Sequence, residues 1–331
     1  MQIGLVRLGM IVLAARMGAA LSPLRGRTGR ALHIGSKRRS TDDLPDIRGR
    51  PLKLGITDVD GVLRDMNVLD TAGGKKAPPL LLLAGTAQTI GTYAGHVREL
   101  SRGDRRLIIP ELRCQGTTEL LPEYANIEQH TQDLLQLLDR LGLEKVDLVG
   151  FSFGGRVALS VAAKHPSRIK SLSITGVPLN RTSLGTLILE SWRDGLSQTV
   201  PQMRACAWSF ILNGYSASFV ERYSDKMTSV VDQIVAANDP LKLATLIAQS
   251  HIADDSHPFS VPSCAAQIAC RTQVISAGED RIAAPHTVKQ LADAISGVSE
   301  YVEIPNAGHL VPFEQPTAWR KALIRFLDHG N

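Results

Sequence analysis

The sequence predicts an α/β fold: a mostly parallel central sheet flanked by helices, with a helical cap inserted late in the chain. Three observations predict it. Short apolar runs bounded by turn residues recur along the chain, the pattern of strands buried on both faces. Helical periods lie between successive runs, so the strands must cross over and pair in parallel. That alternation stops between residues 180 and 262, where helical stretches follow one another without a convincing strand.

Arg64–Thr71 is the early strand, closed by Ala72-Gly73-Gly74. Just before it, Asp58-Val59-Asp60-Gly61 imitates the aspartate motif of a phosphatase, but no GDxxxD pattern follows, and it is assigned to the turn of a first hairpin. Pro79–Leu83, Arg106–Pro110, Val146–Gly150 and Ser171–Thr175 are the next strands; Thr272–Ser276 and Glu300–Ile304 come much later. Between them Ile127–Leu141 puts Ile127, Leu134, Leu135, Leu138 and Leu141 on one helix face and stops at Gly142, a C-cap signal. Arg156–Lys164 and His286–Ile295 have similar periods. In the insertion, helices are expected around 184–196, 200–212, 216–227 and 241–251. Trp192, Trp208 and Phe210 fall there, and an apolar helical insertion over an α/β core is expected to line a substrate pocket with them. The expected organisation is a leader over 1–50, core over 51–179, cap over 180–262 and core again over 263–331.

Charge is concentrated at one end. Of the chain's 37 Lys/Arg and 32 Asp/Glu, ten and three fall in residues 1–50, leaving 27 and 29 for the remainder. The folded body is therefore close to neutral, and neither this balance nor the 5% aromatic content suits a nucleic-acid surface. The Arg-rich first fifty residues carry no acid before Asp42, the composition of a transit peptide for plastid or mitochondrion. A disordered extension on a cytoplasmic protein is the alternative. The apolar run Leu8–Ala15 is too short for a transmembrane helix, and no membrane span is expected in the mature protein. The four scattered cysteines have neither CxxC nor zinc spacing, and reduced thiols are expected.

The chemistry is concentrated in Gly150-Phe151-Ser152-Phe153-Gly154-Gly155, a G-x-S-x-G sequence between an expected strand and an expected helix. So sharp a reversal strains its central residue and requires small neighbours, leaving Ser152 exposed at a helix N-terminus that favours negative charge. A serine needs a base. Of the nine histidines, His309 follows the last strand in Asn306-Ala307-Gly308-His309. The base needs an orienting acid, and Asp280 follows the penultimate strand, with Glu279 as its neighbouring alternative. Chain order is then Ser, Asp, His.

With these motifs the chain resembles the α/β-hydrolase superfamily, in its capped, esterase-like branch, over residues 50–329. Leu107–Glu119 is similar to the family's P-D-L-R-G-x-G stretch; GEDRIAAP and NAGHLVPFEQP resemble its acid and histidine loops. The resemblance implies that Ser152, Asp280 and His309 form a triad and that the backbone N–H groups of Thr86 and Phe153 form the oxyanion hole. It departs at Ala84-Gly85, where the family commonly has His-Gly.

The expected activity is hydrolysis of a small apolar carboxylic ester through an acyl-enzyme. Lactone, thioester and C–C bond hydrolysis use the same residues, and a ligand receptor of this fold is the alternative from another class. No cofactor or metal is implied: there is no P-loop, GxGxxG or HExxH.

Overall fold

The computed structural model describes residues 49–329 apart from 75–76, 199–201, 253 and 297–298. The Arg-rich leader thus lies outside the described residues but for its last two. In chain order the elements are β1 (Arg50–Thr57), β2 (Leu63–Asp70), β3 (Leu80–Leu83), α1 (Ala94–Leu100), β4 (Leu107–Pro110), α2 (Ile127–Arg140), β5 (Val146–Phe151), α3 (Phe153–Lys164) and β6 (Ile169–Thr175). The insertion follows as α4 (Ser183–Leu196), α5 (Met203–Gly214), α6 (Ala217–Arg222), α7 (Ser224–Ala237), α8 (Pro240–Gln249) and α9 (Val261–Ala265). The chain then returns as β7 (Arg271–Ala277), α10 (Pro285–Ala294), β8 (Ser299–Ile304), α11 (Val311–Glu314) and α12 (Pro316–Asp328).

One eight-stranded sheet has the order β1-β2-β4-β3-β5-β6-β7-β8. The β1–β2 hairpin is antiparallel, β2 pairs antiparallel with β4, and every neighbour from β4 to β8 is parallel. Period two sorts the β3 leucines: Leu81 and Leu83 join the core beneath α2, α3 and α10, while Leu80 and Leu82 join the one beneath α1 and α12. That second face rests on Trp319, Leu323 and Phe326 of α12, a helix not singled out in the sequence. The sequence stretch 216–227 divides at Tyr223 into α6 and α7, and α7 runs on to Ala237.

The aspartate motif lies in the β1–β2 turn. Asp58 is buried, accepts from the Leu121 N–H at 2.8 Å and pairs with Arg113 at 2.9 Å, while Arg113 also binds Asp133 at 2.8 Å. It is thus committed to a core ion cluster. No helix among the described residues is long and apolar enough to cross a membrane.

Candidate active site

The β5–α3 reversal sets the site. Ser152 has φ 51° and ψ −116°, a backbone conformation that costs an L-residue energy and persists only where its surroundings enforce it. Here close approach enforces it. A Cβ on Gly150 would lie 2.5 Å from the Gly154 carbonyl oxygen, and one on Gly154 would lie 2.4 Å from that of Leu83. The N–H of Ser152 donates to Thr175 of β6 at 2.8 Å, tying the turn to the neighbouring strand.

Two loops bring the partners. His309 follows β8 and Asp280 follows β7, and both side chains are buried. His309 Nε2 lies 2.8 Å from Ser152 Oγ, and its Nδ1 lies 2.7 Å from Asp280 Oδ2. The other oxygen of Asp280 accepts the N–H groups of Ile282 and Ala283, each at 2.8 Å. Glu279, the alternative acid, is exposed, and among the described residues its side chain makes no hydrogen bond to the histidine. With its acid on Nδ1, the imidazole can present Nε2 as a base to the serine.

Thr86 and Phe153 border the same cavity as Ser152. The N–H of Phe153, first residue of α3, has no acceptor further back in its helix. The close approach of Gly154 to the Leu83 and Ala84 carbonyls holds the β3 exit loop against this helix end. Gln88 braces that loop: its Oε1 accepts the Gly85 N–H at 2.8 Å and the Tyr93 hydroxyl at 3.1 Å, and its own N–H donates to Gln115 Oε1 at 3.3 Å. Nothing in the local sequence marks Gln88 for this part, which depends on a contact with Gln115, 27 residues away.

A cavity of about 580 Å³ opens above the serine, between the sheet's C-terminal edge and the cap. Trp192 and Phe210 line it, packed edge-to-face with centroids 4.5 Å apart. Trp208 does not. Grouped with those two at the sequence level, it packs instead against the cap's own cluster around Ile211, Phe219 and Met227, because neighbouring positions on a helix face different ways. The cavity also carries charge that the sequence did not reveal: Arg156 and Arg181 lie on its wall.

Glu314 is a further unforeseen part. Its buried carboxylate accepts the N–H of Gly308 and the N–H of Ser216, both at 3.0 Å, and bonds the Ser216 hydroxyl. The residue before His309 is thereby tied to Ser216, the residue that caps the N-terminus of α6 in the cap.

The family model described as alpha/beta hydrolase fold matches residues 78–316. Among curated proteins, the chain is 24% identical over 254 residues to pyrrolizixenacetamide deacetylase of Xenorhabdus hominickii, covering 76% of this chain and 91% of that one. It is 26% identical over 269 residues to monoacylglycerol lipase abhd6-B of Xenopus laevis, covering 78% of each. Among solved structures, a thermophilic esterase from Thermogutta terrifontis superposes with a TM-score of 0.71 at 25% identity, covering 85% of this chain and 99% of that one.

Proposed function

As the chain belongs to the α/β-hydrolase fold family and its relatives are hydrolases, we propose that it is a serine hydrolase that cleaves a carboxylic ester through an acyl-enzyme. The observation that carries this reading is the hydrogen-bonded series Asp280–His309–Ser152 at the base of the cavity. Ser152 Oγ attacks the carbonyl carbon as its proton passes to His309 Nε2, while Asp280 holds the Nδ1 proton and stabilises the imidazolium. The N–H groups of Thr86 and Phe153 receive the oxyanion, a charge that exists only near the transition state. Collapse breaks the C–O bond, and the alcohol leaves with the proton from His309. Water then attacks the acyl carbon, giving a proton to the same nitrogen; collapse breaks the bond to Ser152 Oγ, which takes that proton back as the carboxylic acid leaves. The apolar wall formed with Trp192 and Phe210 suits the carbon skeleton of a small or medium acyl group.

Stopped-flow hydrolysis of 4-nitrophenyl butyrate tests the reading. A burst approaching one nitrophenolate per chain followed by steady turnover is expected. Absence of both burst and turnover with nitrophenyl esters and thioesters would contradict it.

A further inference from the structure

Several buried or part-buried arginines of this protein have carboxylate partners. Arg105 pairs with Asp147 at 2.8 Å, Arg106 with Asp70 at 2.6 Å, and Arg113 with both Asp58 and Asp133. Arg156 and Arg181 pair with none among the described residues. Arg156 is 8% exposed, and among the described residues its guanidinium makes one hydrogen bond, from Nη1 to the Ser250 carbonyl at 2.7 Å. The half-buried Arg181 has no side-chain hydrogen bond among the described residues. Both border the serine's cavity and an adjoining side pocket of about 280 Å³.

The position is informative. Arg156 stands one helical turn past the nucleophile, its N–H bonded to the Ser152 carbonyl at 3.1 Å. Arg181 lies in the loop between β6 and the cap helix α4. Burial, and then the charge of Arg181, push the Arg156 guanidinium down to about 9; burial alone pushes Arg181 down to about 10. Cations removed from water without a counter-charge are costly, and a fold gains nothing from two side by side. A ligand that supplies the missing negative charge reverses that cost.

From this geometry we infer that Arg156 and Arg181 form an anion subsite that holds a carboxylate of the substrate, distal to the carbonyl attacked by Ser152. The inference rests on the hydrolase reading and narrows its substrate to half-esters of dicarboxylic acids or similar acidic esters. The apolar wall takes the carbon chain, and the guanidiniums take its charged end. A guanidinium's planar fork matches a carboxylate in two parallel hydrogen bonds. Phosphate monoesters fit less well, because Glu190 and Asp255 border the cavity and side pocket and disfavour a second negative charge.

The test compares 4-nitrophenyl hydrogen glutarate with its neutral methyl ester. Wild-type protein is expected to favour the acid in kcat/KM by at least about tenfold, the worth of one charged hydrogen bond. Arg181→Met should reduce that ratio by at least about tenfold, and Arg181→Lys should restore part of it. A wild-type ratio at or below unity, or a ratio the same in both variants, overturns the inference while leaving the hydrolase reading intact. Calorimetry on Ser152→Ala separates the two claims: glutarate should bind it at least about tenfold tighter than it binds Ser152→Ala/Arg181→Met. Binding with that arginine dependence supports the subsite even if neither ester is hydrolysed. Tighter binding of inorganic phosphate than of glutarate would overturn the choice of carboxylate.

Discussion

Asp280 divides its two oxygens between two tasks: Oδ2 meets His309 Nδ1 at 2.7 Å, and Oδ1 accepts the backbone N–H groups of Ile282 and Ala283. The backbone bonds fix which way the carboxylate faces, and therefore which tautomer the imidazole adopts. In Asp280→Asn, the amide oxygen is expected to keep the two N–H bonds and turn its NH₂ toward Nδ1, forcing the proton onto Nε2. The predicted loss in kcat is about 10⁴-fold with little change in stability. Glu279→Gln, altering an exposed neighbour, should leave kcat within about twofold. Steady-state ester kinetics on both variants check the pair.

Glu314 couples the histidine loop to the cap through Gly308 and Ser216. Glu314→Ala leaves two buried N–H groups unpaired, each costing about 1–3 kcal/mol, so a clear fall in thermal midpoint is expected. Because the loop that carries His309 loses its anchor, kcat should fall by about 10²-fold, with KM less affected. Thermal unfolding and steady-state kinetics on the same preparation measure both effects.

Gly154 meets two carbonyl oxygens of the β3 exit loop. In Gly154→Ala the added Cβ would lie 2.4 Å from Leu83 O and 2.5 Å from Ala84 O, and backbone cannot yield as a flexible side chain does. The expected cost is about 1–3 kcal/mol from overpacking. Displacing the loop that bears Thr86 should add a loss of about 10²–10³-fold in kcat. Denaturant unfolding and ester hydrolysis distinguish the two contributions.

How much of this could be seen in the sequence depends on whether the signal was local. The β5–Ser152–α3 turn was legible because its glycines, its strand and its helix are contiguous. His309 and Asp280 could be found because each follows a strand whose apolar run is plain. Arg156 was not legible as a cavity residue, since within Arg156–Lys164 it has the look of an ordinary helical cation; only the fold shows that no carboxylate among the described residues pairs with it. Gln88 and Glu314 each link a nearby loop to a partner 27 or 98 residues away, a separation at which sequence spacing carries no information. Trp208 was misplaced for the converse reason: an aromatic in a cap helix says nothing of which face meets the cavity.

His130 offers a stability test. Fully buried beneath Phe153, with ring centroids 5.0 Å apart, its imidazole is pushed down to about 3 by burial and then by the charge of Arg113. The native state therefore keeps it neutral where the unfolded chain, with a pKa near about 6.5, takes up a proton. Its contribution is constant above that unfolded value. Stability must fall as pH drops from about 6.5 toward 3, approaching about 1.4 kcal/mol per pH unit from this group. His130→Leu should remove that slope, as measured by denaturant unfolding at several pH values between about 4 and 7.

The most direct measurement is labelling of the full chain with a fluorophosphonate, which reacts only with an activated serine. One adduct per chain is expected at Ser152, absent from Ser152→Ala and strongly slowed in Asp280→Asn. A folded wild-type protein that takes no label, or a Ser152→Ala protein that labels as fast as wild type, would contradict the assignment of Ser152 as the nucleophile.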